Sequence, residues 1–453
     1  MKTLADELTE YAAALDPRAL PQEVVKQTKR LIIDTIGCAL GGYTSEPSKI
    51  ARDLAAACGS GGRERATVIG SGQPASPDMA AFVNGVMIRY LDYNDGYTST
   101  VSGHPSDNIA AVLAAAEAAG ADGARVIAAT ALAYEMYCRF SDAADIHPFD
   151  HSTLDCIASG LASSYLFGLP AERAAHAVNL AITPHIALHQ PRIDVLSHWK
   201  ACAAANACRN AVFATMLAAR GLTGPRLGLD GEEGFIKAVT TGDFKLAPFG
   251  DGGRPFKIME CSIKRFPLGQ YSQTVIQAVL DVREKLPDVR DIAEVHIRTL
   301  KKAITIMAGD PKKWRPTTRE TADHSMVYTT GVALMYGTVH QRHFGDEYLH
   351  NEELLDLVSR VKVSVSEEAN RRAPEAMLCE VEVVTGAGKR YSAEVAYHKG
   401  HYKNPMSESE VEAKFRSLAE AVLSPPQIDQ LLDRVWHLEE QKDIGEILRL
   451  TTI

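Results

Sequence analysis

Apolar residues return every three or four positions through roughly the first 220 residues, and this spacing predicts helices rather than strands. PQEVVKQTKRLIIDTIGCALGG opens on a proline suited to a first helical turn, carries Val, Ile and Leu at helical spacing, and closes on Gly41-Gly42. SPDMAAFVNGVMIRYLDYND repeats the arrangement: Ser76 is placed to cap, Pro77 to be the first helical residue, and the apolar face runs to Asp92. Alanine-rich runs at roughly 106–119, 122–140, 151–167, 170–184 and 195–220 predict five more helices with small, closely packing faces. Such a succession predicts an all-α bundle.

The texture changes near residue 222, where Gly-Pro-rich segments lead through GDGGRPF. Beyond it the periods mix. A helix is expected at 270–285, a strand in IAEVHIRTL, a helix near 321–337 and a strand in RVKVSVSEE. LCEVEVVTGAGKRYSAEVAYHKG reads as two strands joined at Thr385-Gly386-Ala387-Gly388, and helical pattern returns after Pro405. The fold class that follows is mainly α: a helical domain built from residues 1–260 and 405–453, interrupted by a smaller α+β lid domain at 261–404. A cleft between two such domains is a favoured ligand site.

Composition changes this picture little. With 46% hydrophobic and 23% charged residues among 453, the chain is of ordinary globular type. Its net charge of -9, with no Lys/Arg stripe, argues against nucleic acid as a partner. No apolar run reaches the ~18 residues of a membrane span, and the start lacks the pattern of a signal peptide, so no membrane partner and a cytoplasmic location are expected. The eight cysteines stand singly, never as CxxC, which argues against a zinc ribbon or an iron–sulfur cluster and predicts reduced, buried thiols.

Several motifs compete for the chemistry. GSGQPA at 70–75 fits a dinucleotide fingerprint by spacing, with Asp92 about 20 residues on, but the neighbourhood is helical and a turn before a helix is the simpler reading. Gly386-Ala387-Gly388-Lys389 lacks the phosphate-loop spacing. A calcium loop starting at Asp92 would need glycine where Tyr97 stands and an acid where Gly103 stands. His147/His151 and His185/His189 have zinc-compatible spacing without the HExxH glutamate. What remains is YLDYNDGYTSTVSGHPSDN. It is either an acid–base site around His104, whose imidazole type titrates near neutrality, or a capped loop in which Asp92 and Asp95 end one helix and Ser106 starts the next.

LDYND...GHPSDN resembles the LDFDD...HPS signature of the MmgE/PrpD (2-methylcitrate dehydratase) family, and ATVIGSGQPASPDMAAFVNG before it continues the resemblance. LSHWKACAAANACRNAVFATMLAARGLTGP is similar to the family's lysine-bearing helix and SIKRFPLGQYSQ to its second lysine motif. TADHSMVYTTGVAL resembles its tyrosine helix, and GHYKNPMSESEVEAKF its NPMS segment. Together these span nearly the whole chain in the family's order.

Carried over position by position, the resemblance implies Asp92, His104, His151, Lys200, Lys264 and Tyr328 as site residues. On that implication Lys200 and Lys264 hold substrate carboxylates, His104 moves a proton and Asp92 orients an imidazole, while Tyr328 and His151 donate to a developing enediolate or leaving group. Arg192 and Arg265 are candidates for a third carboxylate. The chain departs from the signature at Asn94 and Gly96, where the family has an aspartate and a hydroxyl-bearing residue. The implied activity is a hydro-lyase needing neither metal nor cofactor, acting on a 2-methylcitrate-like or citrate-like polycarboxylate. Decarboxylation of a cis-aconitate-like acid or epimerisation of an iminodisuccinate-like one is the alternative within the family, and a non-catalytic polycarboxylate-binding protein the alternative outside it. The resemblance also implies a homodimer, as do alanine-rich faces in excess of one bundle.

Overall fold

The computed structural model describes residues 2–59, 62, 64–193, 195–251 and 253–453. The expected helices form at Gln22–Gly42, Pro77–Tyr90, Ile109–Ala119, Gly123–Ala143, Thr153–Leu166, Ala171–Ile182 and Trp199–Ala219. Small residues let them approach: a Cβ on Gly85 would lie 2.8 Å from the Cβ of Ala205, and one on Gly42 would lie 2.3 Å from the carbonyl oxygen of Met87. The Pro77–Tyr90 helix is thereby held between Gln22–Gly42 and Trp199–Ala219, and it delivers Asp92 to the middle of the molecule. Its first turn differs from expectation, because Ser76 stands at the cap position without a side-chain cap bond.

The GSGQPA segment is the turn of a short antiparallel ladder between β1 (Ala66–Thr67) and β2 (Pro74–Ala75), with Gly70 and Gly72 at positive φ. A dinucleotide fingerprint would need a βαβ unit, so that reading is closed. The four remaining strands among the described residues are β3 (Ile292–Thr299), β4 (Val361–Val365), β5 (Cys379–Thr385) and β6 (Arg390–Val395), in the spatial order β4-β3-β5-β6. β3 runs parallel to β4 and antiparallel to β5, and β5 forms the expected hairpin with β6. At its turn the Gly388 N–H donates to the Thr385 carbonyl at 2.8 Å, with Gly388 at φ 78°. Along β5, Cys379, Val381, Val383 and Thr385 are buried while the residues between are not, so one face packs under the Gln273–Arg283 helix. Each buried valine contributes about 1.5–3 kcal/mol.

The apolar interior is organised as two main clusters. One takes residues from Ala5 to Ile263 and again from Met406 to Leu448; the other runs from Phe266 to Val395. The helices Glu408–Ala419 and Pro425–Trp436 thus return to the first cluster, with Phe415 packed on Gly37. Seven cysteines are buried as expected, but Cys58, at the end of the Glu46–Cys58 helix, is exposed. No helix among the described residues is long and apolar enough to cross a membrane.

Candidate active site

The helix that carries the first motif ends at Tyr90, and Asp92 follows at φ 49°, the one non-glycine among the described residues in the left-handed region. Aspartate tolerates that conformation better than most residues. The chain then continues through the interior as a pinned loop. Gly96 and Ser262 exchange backbone hydrogen bonds at 2.9 Å, and Tyr97 and Gly103 do so at 2.9 and 3.0 Å. From the C-terminal segment, the Lys414 ammonium donates to the carbonyls of Tyr93 at 2.8 Å and Lys264 at 2.9 Å while pairing with Asp34 at 2.6 Å. His104 leads into a 3-10 turn at Pro105–Asn108, and the α-helix begins at Ile109. Ser106 is not the cap it was expected to be; its hydroxyl donates to the Asp95 carboxylate at 2.6 Å.

The Asp92 carboxylate, fully buried, is the hub. Its Oδ1 receives Arg89 Nη1 at 2.7 Å and Lys264 Nζ at 2.6 Å, and its Oδ2 faces Lys200 Nζ at 3.2 Å and His324 Nδ1 at 2.9 Å. Burial by itself would raise its pKa, but Arg89, Lys200 and Lys264 together hold it well below the usual carboxylate range. Lys200 also meets Asp323 at 2.5 Å, and Arg319 reaches the other oxygen of Asp323 at 3.2 Å. Three buried cations therefore surround two carboxylates, an excess of positive charge that Asp107, 3.9 Å from Arg89 and raised to about 7 by burial, offsets only in part, and Arg319 stands at the edge. Burial lowers Lys264 to about 8.

His104 sits beside this hub. Its Nδ1 is 2.7 Å from the Asp95 carbonyl, which can only accept, so the ring carries its proton there and Nε2 accepts from Arg89 Nη2 at 2.9 Å. Burial, reinforced by Arg89 and Lys264, pushes its pKa well below the ordinary imidazole value, so the ring is neutral. The His151 ring lies edge-on to it at 5.4 Å, with Nδ1 at 3.3 Å from the Tyr137 hydroxyl, and burial lowers its pKa to about 3. Behind both rings are carboxyls that burial raises: Asp95 to about 6, Asp107 to about 7, and Asp155 well above the carboxylate range. Asn94 bonds Ser106 at 2.9 Å and Asp107 at 2.8 Å, which accounts for an amide at this position.

Asp92, His104, Lys200 and Lys264 are thus brought together, with His151 against His104. Two other expected residues lie elsewhere. Tyr328 is buried in the second cluster and its hydroxyl donates to the His343 carbonyl at 2.7 Å, so its proton is committed there. The Arg265 guanidinium is exposed and bonds Gln277 at 2.6 Å, in a groove with Asp281 and Glu394. Arg192 is closer to the site, but it is paired with Asp150 at 2.9 Å and bonds the Lys200 carbonyl at 2.7 Å. Arg89, His324 and Asp323 were not expected. Arg89 could have been noticed as a cation three residues before Asp92 on an apolar helix, and His324 stands in the quoted TADHSMVY.

Among the described residues, two groups bring metal-type donors within 4.8 Å of one another: Asp92/Asp323/His324 and Asp107/His151/Asp155. In the first, Arg89, Lys200 and Lys264 already neutralise Asp92, and a divalent ion would face all three. In the second, burial raises Asp107 to about 7 and Asp155 well above the carboxylate range, which weakens both as ligands because metal ligation requires the deprotonated form.

The chain matches the MmgE/PrpD N-terminal domain over residues 6–247 and the MmgE/PrpD C-terminal domain over 266–438. It is 26% identical to human cis-aconitate decarboxylase over 99% of this chain and 95% of that protein. It is likewise 26% identical to a fungal alkylcitrate dehydratase over 85% of this chain and 81% of that protein. With the 2-methylcitrate dehydratase of Salmonella typhimurium the identity is 28%, over 64% of this chain and 63% of that protein. Matched by both of its domains along most of the length, the chain belongs to the MmgE/PrpD family.

Proposed function

We propose that the protein is a metal-independent hydro-lyase acting on a small citrate-like polycarboxylate, of the 2-methylcitrate dehydratase type. The observation that carries this reading is the buried excess of cations at Asp92 beside neutral imidazoles. A polyanion entering there supplies the counter-charge that the protein leaves short, with Lys200 and Lys264 turning from Asp92 and Asp323 to the substrate carboxylates. A proton alpha to one carboxylate leaves to a base, the resulting enediolate is stabilised by the two ammonium groups, and the beta hydroxyl departs as water. His104 is the group proposed to serve the leaving hydroxyl. When a substrate carboxylate draws Arg89 away, Nε2 loses its guanidinium partner and becomes basic enough to carry a proton. The segment from Phe266 to Val395, with its own apolar cluster, serves in this reading as a lid that closes Asp323 and His324 over the hub.

Decarboxylation is the second reading, favoured by the nearly end-to-end match with human cis-aconitate decarboxylase against the partial match with the bacterial dehydratase. The test is to incubate chelator-treated protein in D2O with 2-methylcitrate, citrate, cis-aconitate and iminodisuccinate and to follow products by NMR. Loss of water is expected; loss of CO2 or epimerisation would reassign the reaction, and binding without turnover would leave a polycarboxylate-binding protein. His104→Ala is expected to keep its circular dichroism spectrum and lose roughly 10²–10⁴-fold in kcat, the usual contribution of a positioned acid or base.

A further inference from the structure

Asp92 stands between two imidazoles, His104 from the chain segment of the first apolar cluster and His324 from that of the second. His104 approaches Oδ1, with its Nε2 at 4.0 Å, and His324 approaches Oδ2, with its Nδ1 at 2.9 Å. Their exposed chemistry differs. Both nitrogens of His104 are engaged, one by the Asp95 carbonyl and one by Arg89. His324 turns Nδ1 to Asp92 and, at 3.2 Å, to Asp323, so its proton is fixed on Nδ1 and its lone pair on Nε2. Among the described residues Nε2 has no hydrogen-bond partner, and the side chain is 13% exposed, slightly more than that of His104 at 9%. The backbone of Gly269 passes close beside the ring: its N–H donates to the Asp323 carbonyl at 3.0 Å, and a Cβ there would lie 3.4 Å from His324 Cε1.

We propose that His324 is a catalytic residue, the base that takes the proton alpha to the substrate carboxylate. The C–H bond breaks, an N–H bond forms at Nε2, and the electron pair of the C–H bond passes into the neighbouring carboxylate as an enediolate facing Lys200 and Lys264. The imidazolium so formed donates from Nδ1 to Asp92, with Asp323 3.2 Å from the same nitrogen, the arrangement that stabilises a histidine while it holds a proton. His104 then remains for the departing hydroxyl, and the two proton transfers of an elimination fall to two rings on opposite sides of one carboxylate. The ring is neutral when the site is empty, because burial and Lys200 lower its pKa below the ordinary value, so Nε2 is ready to accept.

The inference rests on the polycarboxylate reading, and the experiment separates the two. Wild-type protein and His324→Gln are placed in D2O with citrate and 2-methylcitrate, and deuterium entering the alpha position is followed by NMR. Binding of tricarballylate, which has no hydroxyl to lose, is measured by calorimetry. The expected result is a wild-type circular dichroism spectrum, tricarballylate affinity within about threefold of wild type, alpha exchange lower by about 10²–10⁴-fold, and partial rescue of His324→Ala by added imidazole. Exchange within about threefold of wild type would sink the assignment of His324 alone; a wild type that neither exchanges nor converts any of the acids would sink both readings. If the variants do not fold, carbethoxylation of the wild-type protein decides. Modification mapped to His324 must abolish exchange and be slowed by tricarballylate, and exchange that survives it overturns the proposal.

Discussion

Asp92 is the residue on which most of the site depends, and its substitution is expected to be felt twice. Asp92→Asn keeps the shape and suits the left-handed backbone, yet it leaves Arg89, Lys200 and Lys264 buried with only Asp323 at Lys200 and Asp107, 3.9 Å from Arg89, as counter-charge. Breaking a buried pair in this way costs about 3–5 kcal/mol, to be read from denaturant unfolding, and activity falls because His324 loses its orienting carboxylate and Arg89, which holds His104, loses its ion-pair partner. Lys264 carries a pH signature. Its folded pKa of about 8 lies below its ordinary 10.5, so between these values the unfolded chain binds more protons than the folded one. This group alone therefore makes stability rise with pH across that window, its unfavourable contribution being fully present below about 8. Substrate capture runs the other way: an ammonium lost near pH 8 no longer attracts a carboxylate, and kcat/KM of the free enzyme should decline above about that pH. Lys264→Met should raise KM and remove this alkaline limb, and a limb that persists would assign it to another group.

At the scale of elements, the periodicity of apolar positions located the long helices and the β5–β6 hairpin because those are local properties, set by capping, turn residues and which face is buried. The loop after Asp92 was legible as a helix end and a helix start. Its path was not, since the pairing of Gly96 with Ser262 is a tertiary contact. His324 escaped for the same reason: it looks ordinary in its own turn and meets Asp92 only in the tertiary fold, whereas the Arg89–Asp92 pair is three residues apart and was open to a local reading. Tyr328, taken from a motif, shows the reverse, a recognisable residue whose hydroxyl the fold uses for packing. The C-terminal Glu408–Ala419 helix supports the site through Lys414, which grips the carbonyls of Tyr93 and Lys264. Lys414→Met should destabilise by about 3–5 kcal/mol by leaving Asp34 unpaired. Adding Asp34→Leu should recover stability but not activity, and faster hydrogen exchange near Tyr93 should persist in the double variant.

At the scale of the molecule, Leu188, Ile193, Val195 and Trp199 are 67%, 53%, 46% and 48% exposed, an apolar stretch just before the helix that carries Lys200. A homodimer that covers this stretch is the expected assembly: light scattering at micromolar concentration should give twice the chain mass, and Ile193→Glu with Trp199→Glu should halve it. Chelator treatment is expected to leave turnover unchanged, since cations already occupy the positions around Asp92 that a metal ion would need. The same crowd of positive charge has a practical side. A site short of negative charge does not distinguish a substrate from the anions of the laboratory, so citrate, phosphate and sulfate should raise the melting temperature and compete with turnover. Solutions chosen to keep such a protein comfortable during purification would then be the ones in which its activity is hardest to see, and an assay in Tris or HEPES chloride is where the enzyme should first show itself.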